Sequence, residues 1–246
     1  MGTGTRRVDS MASSSLCSFP SFIIPFLVVV AVGCSDSSDN PTTPDTQVAT
    51  LYPVRDNTLF EDPEGDLSNG SGTVLFFGNS GGSIAHRAVL AFDVAADIPA
   101  GSKIVRAEFA FNVSNAPDSI PRIVTLHRVL VEWGEGSSVG TGGGGAPADT
   151  NDATWLHRFY PDSPWSTKGG DFDVVATDSL MVAYKQPYAV SSNLIAADVQ
   201  SWLDDPASNF GWLLMGDESL PKTARKLDSR EHPTVANRPK LIVEFR

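Results

Sequence analysis

The sequence predicts an all-β protein: an antiparallel two-sheet β-sandwich of jelly-roll type, with one short helix near residues 194–204. Three observations predict it. Residues Lys103 to Val113 alternate apolar and polar with period two. Short apolar runs recur between turns rich in glycine and proline, at the spacing of a multi-stranded β protein. Only one stretch has helical spacing, whereas a parallel sheet needs a helix between successive strands. No period of 20–50 residues repeats, which points to one domain.

The N-terminus reads as a processed segment. Arg6 and Arg7 form a positive start, and Phe22 to Val32 is apolar. That run is too short to span a bilayer, so residues 1–33 read as a signal peptide. Ala31-Val-Gly-Cys34 resembles a bacterial lipobox, which would make Cys34 the lipidated first residue, although Ala31 stands where that pattern prefers leucine. Ordinary secretion with cleavage nearby is the alternative. Cys17 and Cys34 are the only cysteines, so the mature domain holds no disulfide and relies on its core. Removing residues 1–33 takes out Arg6, Arg7 and Asp9 and moves the net charge from −11 to −12. Residues 34–47, rich in Ser, Asp, Pro and Thr, read as a disordered tether. The expected location is secreted and lipid-anchored to the cell envelope, with membrane contact only through the anchor. A chain this acidic is a poor partner for nucleic acid.

The folded domain is expected over 48–246. Thr58 to Phe60 predicts a short strand, and Thr73 to Phe77 another, followed by a turn from Gly78 to Gly82. His86 to Val94 is apolar on both faces and therefore central; His86 and Arg87 at its mouth are read as surface residues at a strand start, the alternative being that they bind a ligand. In the strand from Lys103, Val105, Ala107, Phe109, Phe111 and Val113 share one face, and Arg106, Glu108 and Asn112 the other. Ile123 to Trp133 is a strand whose register stays open. Gly134 to Tyr184 is irregular. Its Gly140–Gly145 run lacks the Gly-Lys-Ser/Thr ending of a phosphate cradle and reads as a flexible loop. The helix is expected to be capped by Asn193, to use Leu194, Ala197, Gln200 or Ser201 and Leu203, and to stop at Pro206. Trp212 to Met215 is a buried strand. Arg225 to Glu231, with both signs of charge, reads as a solvated edge strand, the alternative being a polar binding face. Pro239 to Phe245 is the last strand, starting where a missing N–H matters least.

Several of these segments carry a resemblance. Asp198-Val-Gln-Ser-Trp-Leu203, Asn209-Phe-Gly-Trp212, Asp228-Ser-Arg-Glu231 and Asn237-Arg-Pro-Lys-Leu-Ile-Val243 together resemble the C-terminal part of the DNRLRE-domain family. That family is related to carbohydrate-binding module family 96. The resemblance runs from about Asp56 to Phe245, with Asp56-Asn-Thr-Leu-Phe-Glu61 the closest approach to the six-letter name. It implies a secreted β-sandwich, and by way of the related module family a glycan ligand.

Enzyme chemistry is not expected. No His-Glu-x-x-His and no Cys–His pair occurs, and His86, His127, His157 and His232 are scattered. For binding, Trp155, His157, Arg158, Trp165 and Lys168 crowd one loop region, with Arg225 and Arg230 as helpers. Aromatic faces stack on sugar rings, and cationic side chains hold hydroxyls and carboxylates. The same aromatics would equally anchor a loop folded onto the sandwich. Structural calcium is a further idea, on Asp56, Glu61, Asp62, Glu64 and Asp66 or on Asp171 and Asp173, though no Asp-x-Asp-x-Asp-Gly loop supports it and no cofactor is expected. Metal ligation is otherwise left unknown. Two functions remain: a non-catalytic carbohydrate-binding module for polysaccharide or cell-surface glycan, acidic ones included, or a structural or adhesive surface lipoprotein that binds protein partners. A polysaccharide-active enzyme is a distant third. A monomer is expected.

Overall fold

The computed structural model describes residues 45–246, so the expected signal peptide, the expected lipidation site Cys34 and most of the expected tether lie outside the described residues. The first strands are β1 (Gln47–Leu51), β2 (Arg55–Phe60), β3 (Leu67–Ser68), β4 (Val74–Asn79) and β5 (Ala85–Ala91). Helix α1 (Val94–Asp97) leads into β6 (Ile104–Asn115) and β7 (Arg122–Arg128). The long loop carries β8 (Ala146–Pro147), β9 (His157–Phe159) and β10 (Ser163–Pro164) before β11 (Asp178–Val182) and β12 (Gln186–Ser191). Then come α2 (Asn193–Asp204), β13 (Trp212–Met215), β14 (Arg225–Asp228) and β15 (Lys240–Phe245).

The protein is all-β and antiparallel. Eleven strands join one curled sheet in the order β1-β15-β6-β14-β4-β5-β13-β7-β11, with β12 also on β6 and β2 on β5. The sheet turns at β4. Leu75 and Phe77 of that strand pair with β14, while Gly78 and Asn79 pair with β5. The curl lets both ends of the sheet face one core, in which Leu75, Leu90, Phe109, Leu126, Trp212 and Leu241 are buried together. Each such side chain contributes about 1.5–3 kcal/mol on burial.

Strand β5 is central as its two apolar faces require. Ala88 and Leu90 point into that main core, and Val89 and Ala91 into a second cluster on the opposite face. It ends at Ala91, earlier than the sequence suggested, because Asp93 caps α1 by accepting from Ala96 N. In β6, Ala107, Phe109, Phe111 and Val113 are buried as expected, but Val105 is 46% exposed and Ile104 takes the inward place. The register against β15 shifts there, Glu244 opposite Arg106 and Phe245 opposite Ile104. One extra residue in β6 flips the side-chain alternation. In β7, Val124 and Leu126 face the core, and Ile123 is exposed.

The helix forms where predicted, but its cap and face differ. Ser192 is the N-cap, its Oγ accepting from Ile195 N. Ile195, Asp198, Val199, Trp202 and Leu203 are buried, whereas Leu194 is exposed. The Trp202 ring meets Trp212 at 4.5 Å between centroids. Asp198 Oδ2 accepts from Trp212 Nε1 at 2.8 Å and from Thr177 Oγ1 at 2.7 Å, fastening the helix to the sheet.

Arg225 to Glu231 is not an edge strand. Strand β14 lies between β4 and β6. Its charges are absorbed by internal partners: Arg225 donates to Thr223 O, Ile120 O and Asp118 Oδ1, and Asp228 accepts from Asn112 Nδ2.

Candidate functional site

A cleft of about 570 Å³ opens where the ends of β2 and β5 meet the long loop. Phe60, Leu67, Ile84, Trp155 and Leu156 line it with apolar surface, and Glu61, Asp62 and Lys168 add charge. Pairing of β2 with β5 places Phe60 opposite His86. Gly143 and Gly144 of the glycine-rich run line one side, and the run is seated at its end by a close approach. Gly145 has a positive φ of 68°, and a Cβ there would sit 3.0 Å from the Phe60 ring. Gly65, at φ 64°, lies against Leu156, where a Cβ would come within 2.4 Å.

His86 is not at the surface. It is 2% exposed, edge-on to Phe60 at 5.0 Å and to Phe76 at 5.8 Å. Burial lowers its pKa to about 4, so the ring is neutral at pH 7. Its Nδ1 has no protein hydrogen-bond partner.

The predicted binding residues divide sharply. Trp155 and Lys168 reach the cleft. Trp155 offers little surface, being 8% exposed with the Arg87 guanidinium 4.6 Å from its ring centroid. Arg87 is itself held by Glu218 through two bonds of 2.8 and 2.9 Å. Trp165 is 6% exposed and donates its Nε1–H to Thr154 O at 2.9 Å. With Leu59, Val89, Trp133 and Leu213, both tryptophans build the second apolar cluster under the long loop. They anchor the loop and are not open stacking platforms. His157 Nδ1 lies 3.2 Å from Thr154 Oγ1, bracing the same turn. Arg158 packs on Phe159 and donates to Glu132 O, away from the cleft lining. Arg225 is 2% exposed and meets no ligand surface. Its partner Asp118 is held well below the usual carboxylate range, first by hydrogen bonds from Arg122, then by the Ile120 N–H and by the charges of Arg122 and Arg225. Arg230 pairs with Glu231 and Glu135.

Ile84 and Leu156 were not among the expected site residues, Glu61 and Asp62 were suggested only as calcium ligands, and His86 was read as a surface residue. Nothing local marks them: they meet only through the pairing of Phe60 with His86 and the folding of the long loop over both. Of the suggested calcium carboxylates, Asp62 accepts from Asp66 N, and Asp171 accepts from Ser166 N and Thr167 N. These are turn-capping roles. Among the described residues, the trio whose oxygens lie close enough to share an ion joins one suggested carboxylate, Asp56, with two that were not suggested, Glu135 and Glu231.

Against the expectation of no hydrolase motif, Gly78-Asn-Ser80-Gly-Gly82 has the Gly-x-Ser-x-Gly spelling of a hydrolase nucleophile turn. That turn joins a strand to a helix, whereas this one joins β4 to β5. Ser80 Oγ accepts from Gly82 N and Ile84 N and closes the hairpin. No family model matches the chain, and no curated protein matches it.

Proposed function

We propose that this protein is a non-catalytic glycan-binding module, of the kind the DNRLRE resemblance implies, held at the cell envelope through a lipid on Cys34. Its domain is read as a two-sheet sandwich with jelly-roll connectivity. The support is that the curled sheet folds at β4 into a β1-β15-β6-β14 side and a β5-β13-β7-β11 side with one core between them. The carrying observation for function is the cleft between β2, β5 and the long loop. Apolar walls accept the C–H faces of a sugar, and Glu61, Asp62 and Lys168 offer acceptors and a donor for its hydroxyls. Two carboxylates against one ammonium favour a neutral glycan over a polyanionic one.

The test is a glycan array followed by affinity electrophoresis in neutral and uronic-acid polysaccharides. Lys168 is exposed and only lines the cleft. Lys168→Ala is therefore expected to weaken neutral-glycan binding at least fivefold without moving the melting temperature. Absence of binding to every polysaccharide would return the protein to the adhesive or spacing role on the surface.

A further inference from the structure

We propose that Asp56, Glu135 and Glu231 form a buried binding site for a hard divalent cation, calcium by its chemistry. The three residues come from separate parts of the chain: β2, the loop after β7 and the loop after β14. One oxygen of each lies within 4.8 Å of the others, the span of ligands placed 2.4 Å from a common ion. The donor set is oxygen only, which suits calcium and disfavours metals that seek nitrogen or sulfur.

A second observation points to a ligand. Asp56 is 0% exposed, and its Oδ1 receives no hydrogen bond from any protein donor. Glu231 Oε2 is likewise closed to solvent and undonated. A buried carboxylate oxygen without a partner is costly, and a cation supplies the missing interaction. The remaining oxygens are oriented from outside. Asp56 Oδ2 accepts from Arg230 N at 2.7 Å, and Glu135 Oε1 accepts from Asp56 N at 2.8 Å. Glu231 Oε1 accepts from Arg230 Nη1 at 3.1 Å. These bonds fix three carboxylates around one point.

The charges leave room for a cation. Arg230 is paired with Glu135 and Glu231, while Arg55 Nη1 donates to Trp133 O. Three carboxylates converge where Arg230 is the cation paired with two of them, and the Asp56 oxygen that no donor reaches is left for an ion. Half-buried Glu135 and Glu231 leave one side open for water to complete the six to eight oxygens that calcium takes. Such an ion would tie β2 to two distant loops.

The experiment uses the purified full chain, treated with EDTA, dialysed, and titrated with calcium chloride in a calorimeter. One equivalent is expected to bind, and saturating calcium to raise the melting temperature by about 5 °C or more. Glu135→Gln, checked for fold by circular dichroism, is expected to lose at least tenfold in affinity. Two outcomes overturn the site. One is the absence of both binding heat and a melting shift. The other is Asp56→Asn raising the melting temperature in EDTA to the calcium-saturated value, which assigns the trio a proton instead.

Discussion

Trp165→Ala is the substitution that separates the two roles of the long loop. The indole is 6% exposed and packs in the cluster with Leu59, Val89, Trp133 and Leu213. A buried tryptophan covers about 150–250 Å², worth about 4–6 kcal/mol at ~25 cal/mol per Å². The extended-chain reference overstates that figure, while the lost Nε1–H bond to Thr154 O adds about 1 kcal/mol and a cavity remains. The expected net cost is about 3–5 kcal/mol. For a domain of this size that lowers the melting temperature by roughly 6–20 °C. Trp165→Phe keeps most of the area but orphans the Thr154 carbonyl, and should fall about a third of the way. Differential scanning calorimetry reads both. If Trp165→Ala melts within 2 °C of the parent and loses glycan binding, the anchoring argument is wrong and Trp165 faces a ligand.

The buried histidine predicts a pH dependence. Because the His86 pKa is about 4 in the folded protein and ordinary when unfolded, the unfolded chain binds the extra proton between those values. Stability from this group is complete above about pH 6.5 and falls as pH drops to about 4, by up to about 1.4 kcal/mol per unit. The difference between urea midpoints of the parent and His86→Gln should show that slope, and parallel profiles would refute it. Arg225→Met should cost about 3–5 kcal/mol in chemical denaturation, because it strips donors from the carbonyls of Thr223 and Ile120 and leaves Asp118 short of one. A loss below 1 kcal/mol would mean that the buried guanidinium is not holding that turn.

The sequence by itself determined the elements whose apolar pattern is locally complete. Trp212 to Met215 is short, wholly apolar and bounded by glycines, so it reads as a buried strand and is one. The two-sided apolarity of β5 likewise announced a strand covered on both faces, and α2 was marked by a cap-to-proline window. Patterns also misled where one residue decides the phase. A single bulge at Val105 reversed which side chain faces the core, and the helix buried Ile195 in place of Leu194. Strand partnership was beyond reach of any local pattern. Arg225 and Asp228 look solvated because they are charged, yet β14 lies inside the sheet, since Asp118 and Asn112 arrive from elsewhere to satisfy them. The aromatic loop had the composition of a site and of an anchor alike. Only burial against Leu59, Val89 and Leu213 assigned its tryptophans to the anchor. The cleft and the Asp56, Glu135 and Glu231 trio depend on residues far apart in the chain. Their chemistry exists because antiparallel pairing and loop closure bring them within reach, and that is a property of the tertiary structure alone.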